Sequence, residues 1–324
     1  MKTAACSLAG AMLLAGTTLV LSPSAQRSAN DSAPRPMCAI DMGSNSFKRI
    51  IASFNRSRYE QKSIEKRTLG VGDEVARSGK ISDTKFGEIE EALSAFRRSC
   101  QADGAAPIVA IGTAAFREAP NGGRAVEIAG KLGIPMEIAT EKRESELAYL
   151  VASLGQDGYA VIDNGSRSIE LVSQEDRTMR YIVFDDGYRL AYENFFARSD
   201  DPHAASLAFR DRLRQQALKA DFMKGKKKLV GVEFDEMADT LFEPAELEGQ
   251  VLTLTALKRK LEQITTSGSE AFQALKKTKD IDRVLPRLVV AAVLTEEFGY
   301  AALELTTREL GAGLIIESGI GGKP

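Results

Sequence analysis

The chain has few of the side chains that build metal clusters, and its net charge is close to zero. Its 324 residues include one histidine, His203, and three cysteines, which excludes a cluster of His and Cys metal ligands. A formal net charge of −2 gives no indication of nucleic-acid binding. The second half contains no apolar segment long enough to span a membrane. These absences leave a soluble globular protein as the expectation.

The N-terminus has the pattern of a secretory signal peptide. Lys2 precedes an apolar run over residues 4–21, and small residues follow it. We predict a signal peptide at 1–25, a Ser/Ala/Pro-rich spacer at 26–36 and export, to a bacterial periplasm. A membrane anchor is the alternative, but Gly10 and Gly16 interrupt a run near the lower length limit for a span. No stable anchor is therefore expected once the signal is removed.

The cysteines have two interpretations. Cys6 would leave with the signal peptide, whereas Cys38 and Cys100 remain and would permit one disulfide in an oxidising compartment. Cys38 lies on an apolar strand and Cys100 ends an amphipathic helix, where cysteines usually act as small buried apolar residues. We therefore favour two buried thiols over a disulfide.

The order of predicted elements indicates a duplicated α/β protein. A hairpin and a third strand are followed by alternating helices and strands up to about residue 152, and Tyr159 begins the same hairpin pattern again. We predict an N-terminal α/β domain at 37–156 and a C-terminal one at 157–324, facing each other across a cleft. The second half is more helical, with helices expected at 201–219, 246–265 and 285–298.

Two similar segments carry the functional prediction: residues 39–47 (AIDMGSNSF) and 161–170 (VIDNGSRSIE). Each is an apolar strand that ends in Asp, followed by a turn of Gly, Ser and Asn or Arg and a second strand. Glycine lets the backbone approach a ligand closely, and successive amides of such a turn bind anions. The predicted phosphate-binding residues at the two tips are Gly43, Ser44, Asn45, Ser46, Gly165, Ser166, Arg167 and Ser168. Asp41, Asp163 and Glu170 supply the oxygen ligands that Mg²⁺ prefers.

The first of these segments resembles the phosphate motif of the exopolyphosphatase / guanosine pentaphosphate phosphohydrolase (Ppx/GppA) family. That family belongs to the superfamily of actin-like ATPases, sugar kinases and Hsp70, with a ribonuclease H-like fold. The resemblance covers about residues 36–317. It implies two duplicated α/β domains flanking a cleft, Mg²⁺ as cofactor, and polyphosphate or another phosphoanhydride as the substrate. A homodimer is left open.

The resemblance also selects two further residues. Residues 111–119 (IGTAAFREA) are similar to a family segment whose arginine faces the phosphate chain, which places Arg117 in that role. Residues 138–147 (IATEKRESEL) are similar to the segment that carries the general base, which places Glu144 there. Three glutamates crowd this turn, and only the resemblance chooses Glu144 among them.

The chain departs from the family pattern at its glycine-rich loops. The Gly-Gly-Gly run of the second motif reads Gly165-Ser166-Arg167, so Arg167 either binds phosphate or blocks the cleft. The family's Gly-Gly-Thr loop reads 233–235 (EFD), and its Leu-Arg-Glu-Gly segment reads 310–313 (LGAG). Acidic residues in place of the third loop would repel a long polyanion.

The residues and the resemblance leave three functions to consider. The first is a hydrolase that releases terminal phosphate from polyphosphate or a guanosine pentaphosphate-like substrate, with water activated by Glu144. The second is a catalytically impaired protein that binds phosphate or polyphosphate and regulates. The third, an ATP-dependent kinase, is disfavoured because the Gly-Gly-Thr loop is missing.

Overall fold

The computed structural model describes residues 35–321 except 56, 200, 248, 267–268 and 279. The predicted signal peptide lies outside these residues, as does the predicted spacer apart from its last two positions. The described residues form one compact unit. None of the helices in the described ranges combines the length and apolarity needed to cross a bilayer.

The first half forms a five-stranded sheet with helices packed on it. Its strands have the spatial order β3-β2-β1-β4-β5, with β1–β3 antiparallel and β4 and β5 parallel to β1. The elements are β1 (Met37–Met42), β2 (Ser46–Asn55), β3 (Arg58–Thr68), α1 (Val71–Ser78), α2 (Asp83–Ala102), β4 (Ile108–Gly112), α3 (Ala114–Glu118), α4 (Arg124–Lys131), β5 (Met136–Ile138) and α5 (Glu141–Ser153).

The second half forms a six-stranded sheet in the order β10-β11-β9-β6-β7-β8. A π-helical turn, Tyr192–Phe196, follows its first helix. The elements are β6 (Tyr159–Asn164), β7 (Ile169–Glu175), β8 (Thr178–Phe184), α6 (Tyr188–Ala191), α7 (Pro202–Ala217), β9 (Lys228–Val232), α8 (Asp235–Leu241), β10 (Val251–Thr253), α9 (Leu254–Thr265), α10 (Glu270–Lys276), α11 (Ile281–Glu297), β11 (Ala302–Leu305) and α12 (Ala312–Ile320).

The two sheets repeat one arrangement, which confirms the predicted duplication. In each, an antiparallel hairpin extends to a third strand on one side and to two parallel strands on the other. The second sheet differs by one added edge strand, β10, which pairs antiparallel with β11. Because both hairpins occupy the same place in their sheets, their tips have equivalent positions in the two halves.

Helices α5 and α12 join the two halves. Their apolar side chains form one buried cluster with strands of both sheets, including Ile50 of β2 and Val172 of β7. The last helix packs closely because its glycines have no side chain. A Cβ on Gly313 would lie only 2.9 Å from the Leu147 side chain, which leaves no space for a larger residue. The domain boundary predicted near residue 156 stays a prediction, since the described chain packs as one body.

One predicted helix is wrong in its first part. The charge pattern predicted a helix over 246–265, but the structure has a 3-10 turn at Pro244–Glu246, strand β10 and then α9. Gly249 and Gln250 both have a positive φ, 61° and 67°, which a helix does not tolerate. The chain therefore turns at these residues and adds an edge strand before α9 begins.

The cysteine interpretation is also wrong: Cys38 and Cys100 form a disulfide. Cys38 is on β1 and Cys100 is in the last turn of α2, and both are fully buried. The apolar stripe of α2, which includes Phe86 and Phe96, packs this helix against the first sheet. This packing brings the two Cα atoms to 6.0 Å, within the range for a disulfide. Burial alone did not distinguish thiols from a bonded pair.

Reduction of this disulfide is expected to lower the free energy of unfolding by about 2–4 kcal/mol. The bond closes a loop of 62 residues, and opening it raises the conformational entropy of the unfolded chain. Urea unfolding with and without reductant measures the difference. A Cys38→Ala/Cys100→Ala double variant serves as the control, because it should unfold identically in both conditions. Equal stability of the oxidised and reduced wild-type protein would contradict the prediction.

Candidate active site

A cavity of 370 Å³ lies where the two hairpin tips face each other, and most of the predicted site residues line it. The first hairpin is β1–β2 with tip residues 43–46, and the second is β6–β7 with tip residues 165–168. Twelve of the thirteen predicted site residues line this central cavity: Asp41, Gly43, Ser44, Asn45, Ser46, Glu144, Asp163, Gly165, Ser166, Arg167, Ser168 and Glu170. The exception is Arg117.

The first hairpin tip is held by the start of α1. The amide of Gly43 donates to the carbonyl of Ser46 (3.1 Å), which closes the turn. The amides of Gly70 and Gly72 donate to the carbonyls of Asn45 and Ser44 at 2.9 and 2.7 Å. These carbonyl oxygens, which would repel an anion, are thereby occupied by α1 amides.

The second hairpin tip is held in the same way by the start of α6. The amides of Gly187, Tyr188 and Arg189 donate to the carbonyls of Arg167, Gly165 and Ser166 at 3.0, 3.0 and 3.1 Å. Gly187 is required by this approach, because a Cβ there would lie 2.4 Å from the backbone of Arg167. The duplication therefore includes a helix that secures each tip, and neither α1 nor α6 was predicted from the sequence.

Arg167 reaches across the cleft to the first half. Its Nε and Nη2 donate to the two carboxylate oxygens of Glu118, at the end of α3, at distances of 3.1 and 2.9 Å. Both side chains are partly exposed, so the pair contributes at most about 1 kcal/mol. Arg167 therefore lines the cavity, and its ion pair with Glu118 is weak enough for a bound anion to replace Glu118.

Glu144 is the buried carboxylate of the first half's helix α5. Thr140 caps this helix, its hydroxyl accepting from the amide of Arg143 at 3.2 Å, and Glu144 follows in the first turn. The guanidinium of Arg117 forms an ion pair with Glu144 and also donates to the carbonyl of Ala139 at 2.7 Å. Arg117 thus contacts the predicted base rather than the hairpin tips, and its predicted phosphate contact stays a prediction.

Burial dominates the electrostatics of Glu144. Loss of solvation raises the pKa of Glu144 above its ordinary value of 4.5, and the positive charge of Arg117 opposes this rise. A carboxylate with a raised pKa binds a proton more readily, which is what a general base requires.

The three predicted metal ligands lie on the hairpin strands close to the two tips. Asp41 and Asp163 lie at the ends of β1 and β6, and Glu170 is opposite Asp163 in the β6–β7 pair. Burial raises the pKa of Asp41 to about 7, and burial together with the charge of Glu144 raises that of Glu170 to about 8. Burial and Glu170 also raise the pKa of Asp163 well above its ordinary value.

These carboxylates fit a hard cation that keeps several of its water ligands. The Oδ1 atom of Asp163 is buried without a hydrogen-bond partner in the described part of the chain, while Glu170 accepts from the Ser168 hydroxyl at 2.5 Å. No three His, Cys, Asp or Glu side chains within the described ranges form a metal cluster. Mg²⁺ is commonly held by one or two carboxylates with water and substrate phosphates, and this donor set matches that pattern.

A charged group on one side of the cavity was not predicted from the sequence. Lys48 of β2 forms ion pairs with Glu233, which follows β9, and with Glu309, which precedes α12. Burial lowers the pKa of Lys48, but these two glutamates outweigh it and raise it well above its ordinary value. Lys48 follows the first motif directly, so its neighbours in the sequence could have suggested a cation at the site. Its two partners are 185 and 261 residues away in the sequence, so no local pattern could have predicted the ion pairs.

Comparison with solved structures gives the fold. The chain superposes on a Ppx/GppA family member from Aquifex aeolicus with a TM-score of 0.73 and 20% identity, covering 90% of this chain and 99% of that one. A second structure, of the Aquifex aeolicus PPX-GPPA enzyme, gives 0.74 and 22% identity over 87% and 99%. An exopolyphosphatase from Cytophaga hutchinsonii gives 0.67 and 20% identity over 89% and 99%. The fold is therefore that of these Ppx/GppA structures, the α/β architecture that the resemblance implied.

The sequence itself decides the family. The model of the Ppx/GppA phosphatase family matches residues 55–318, which is most of the chain. The family match agrees with the geometry of the site, in which two hairpin tips and Glu144 line one cavity. The chain belongs to the Ppx/GppA phosphatase family and is a hydrolase acting on phosphoanhydrides.

Proposed function

We propose that this protein releases the terminal phosphate of inorganic polyphosphate, or of a guanosine pentaphosphate-like substrate, by attack of water. The observation that carries the proposal is that both hairpin tips, the base candidate Glu144 and the carboxylates Asp163 and Glu170 line one cavity. Phosphoryl transfer needs little more than positioning, charge stabilisation and an oriented nucleophile, and these residues supply all three.

The hairpin tips bind the phosphate group in this proposal. The serines of both tips can donate hydroxyl hydrogen bonds to phosphate oxygens, and the glycines let the tip amides come close. The helices α1 and α6 fix the tips before substrate arrives, because their amides already hold the tip carbonyls. Little ordering is left for the binding step.

Glu144 acts as the general base. Its carboxylate lines the cavity and accepts the proton of the attacking water as that water bonds to the terminal phosphorus. The bridging P–O bond then breaks, and its electron pair stays with the shortened chain. Arg117 has an indirect role, since it orients Glu144 and limits how far burial raises its pKa.

Of Asp163, Glu170 and Asp41, one or two would hold Mg²⁺ directly and the rest through its waters, and the ion when bound would neutralise developing negative charge on the phosphate oxygens. Asp163 is the principal ligand in this proposal because its buried Oδ1 has no other partner in the described structure. Without a cation, burial raises the pKa values of all three carboxylates, so each binds a proton more readily than an exposed carboxylate does.

Arg167 is expected to bind the phosphate chain. Arg167→Ala should weaken polyphosphate binding about ten- to a hundredfold, because a charge-assisted hydrogen bond contributes about 1.5–3 kcal/mol. The loss should shrink as salt is raised. Glu118→Gln is the matched variant: it releases Arg167 from its partner and should tighten binding. Titration calorimetry with polyphosphate measures both. Tighter binding by Arg167→Gly would instead identify Arg167 as a plug.

The function is tested by measuring phosphate release from polyphosphate, guanosine pentaphosphate and ATP in the presence of Mg²⁺. The proposal expects release from a phosphoanhydride chain, with ATP the poorer substrate. Binding of polyphosphate without any release would support the alternative of a catalytically impaired regulatory protein. Phosphate transfer from ATP to an acceptor would support a kinase.

Export to the periplasm is a further proposal, which the buried disulfide supports. Structural disulfides are typical of oxidising compartments and rare in the cytosol. We propose a mature chain that begins near Gln26. Mass spectrometry of the native protein tests this, and an intact peptide containing Lys2 would contradict it.

A further inference from the structure

Glu233 has a backbone conformation that its side chain does not favour. It follows Val232, the residue paired with Asp163 at the end of β9, and its φ is +65°. This left-handed conformation costs an ordinary residue about 1 kcal/mol or more and is natural for glycine. A glutamate that stays in such a conformation beside the active site is held there by contacts of its side chain.

Those contacts join the two halves of the protein. One Glu233 carboxylate oxygen lies 3.3 Å from Nζ of Lys48, on β2 of the first sheet, and the other lies 3.6 Å from Nη2 of Arg287, on α11. Arg287 is almost fully buried, and its guanidinium also stacks on the ring of Tyr188 at 3.9 Å. Lys48, Arg287 and Tyr188 all line the central cavity.

The consequence is that the Lys48 and Arg287 charges on this side of the cavity are already paired and are not free for an anion. Lys48 is held by Glu233 and Glu309, and Arg287 by Glu233 and Glu236. The acidic lining continues from Glu233 along α8, with Asp235, Glu236 and Asp239. The second hairpin, by contrast, presents Arg167, whose partner Glu118 is exposed and easily displaced. Lys66 and Arg283 also line the cavity, but five carboxylates (Glu233, Asp235, Glu236, Asp239 and Glu309) outnumber the four cations (Lys48, Lys66, Arg283 and Arg287) on this side, which is therefore acidic.

The charge of Glu233 acts across the whole cavity. It contributes to raising the pKa values of Asp41, Asp163 and Glu170, although burial is the largest cause for each. Lys48 and Arg287 outweigh burial at Glu233 itself and lower its pKa, so it carries a full negative charge at neutral pH. A polyanion that extends past Glu233 would also meet Asp235 and Asp239, and repulsion between like charges disfavours that path.

We propose that Glu233 determines substrate length: it closes the acidic side of the cavity to a polyanion, so that the protein acts on short phosphoanhydrides and discriminates against long polyphosphate. This inference rests on the proposed function. Glu233 does not take part in the bond-breaking step; it decides which chains fit around the terminal phosphate. Removing its charge leaves Lys48 paired with Glu309 alone and removes the repulsion from Glu233 at the same time.

The test compares kcat/KM for tripolyphosphate and for long-chain polyphosphate in wild-type protein and Glu233 variants. Glu233→Gly removes the charge and the backbone strain, Glu233→Gln removes the charge alone, and Glu233→Asp keeps the charge. Gln250→Gly is the matched control, since it relieves the same kind of backbone conformation at an exposed turn that does not line the cavity.

Glu233→Gly and Glu233→Gln should each raise the long-chain to short-chain ratio of kcat/KM about tenfold, as expected when a like-charge contact is removed. Glu233→Asp and Gln250→Gly should leave the ratio unchanged. An unchanged or lower ratio in both charge-removing variants would overturn the inference. A purely structural ion pair would alter unfolding and both substrates equally, with no change in the ratio.

Failure of the proposed function gives a different result. If no protein releases phosphate, calorimetric titration with long-chain polyphosphate still decides the inference: tighter binding by Glu233→Gln than by wild type supports it, and equal binding overturns it. Loss of phosphate release in every variant then counts against the hydrolase proposal alone.

Discussion

Glu144→Gln is expected to lower kcat for phosphate release about 10²- to 10⁴-fold, the usual loss when a general base is removed. Glutamine keeps the size of the side chain and its contact with Arg117, but it cannot accept the proton of the attacking water. Binding of the substrate should change little, because the phosphate is held by the hairpin tips. Steady-state kinetics and titration calorimetry on the same protein separate the two effects.

The matched control is Glu141→Gln. Glu141 lies in the same first turn of α5 but is exposed, and it does not line the cavity. Its variant should keep wild-type turnover, whereas any general effect of lost charge on α5 would lower both. Unchanged turnover of Glu144→Gln would remove Glu144 from the mechanism.

The pH profile gives an independent result for the same residue. Because burial raises the pKa of Glu144, activity should be lost as the pH falls through a value above the ordinary 4.5. Arg117 lowers that pKa, so Arg117→Met should move the acid limb of kcat/KM to higher pH, while Arg117→Lys should move it less. An acid limb that is the same in Arg117→Met and wild type would contradict the assigned contact.

Asp163→Asn is expected to abolish most Mg²⁺-dependent activity, with a loss of at least about 10²-fold, because a cation contributes several kcal/mol of charge stabilisation in the transition state. It should also abolish the rise in melting temperature that Mg²⁺ produces in the wild-type protein, since a ligand that binds the folded state stabilises it. The thermal shift is measured without substrate and does not depend on activity.

The same variant should make the metal-free protein more stable. The folded state raises the pKa of Asp163, so the folded protein holds its proton more tightly than the unfolded chain does. The contribution of this proton to the free energy of unfolding is fully present below the ordinary pKa of 3.8. It is lost as the pH rises toward the raised pKa of the folded state. Asparagine carries no such charge, so the advantage of Asp163→Asn should be absent in acid and grow toward alkaline pH.

Asp176→Asn is the control for this experiment, because Asp176 is exposed in the turn between β7 and β8 and does not line the cavity. Its melting temperature should follow that of the wild type at every pH and with Mg²⁺. A Mg²⁺-induced thermal shift that persists in Asp163→Asn would place the cation elsewhere.

The hairpins could be predicted because their information is local. An apolar strand, a glycine-containing turn and a second strand are contiguous, and the repeat of the pattern at residues 39–47 and 161–170 already indicated a duplication. Glu144 could be selected only through the family resemblance, because the neighbouring glutamates lie in the same turn and fit the local pattern equally well. The structure distinguishes them, since Glu144 is buried and Glu141 is exposed.

What the sequence did not predict depends on distant partners. The helices α1 and α6 are short, and their purpose is visible only when their amides meet the hairpin tips. The Lys48–Glu233 contact joins residues 185 positions apart, and no periodic pattern encodes it. The disulfide was judged from burial, but the decisive quantity was the 6.0 Å between two Cα atoms, which α2 packing sets.

Hydrolysis of polyphosphate in ¹⁸O-labelled water, followed by mass spectrometry of the products, tests the central claim most directly. If water held by Glu144 attacks the terminal phosphorus, each released phosphate carries one labelled oxygen, the shortened chain carries none, and Glu144→Gln gives neither product at a comparable rate. Label in the shortened chain, or no phosphate release by the Mg²⁺-loaded wild-type protein, would contradict the account.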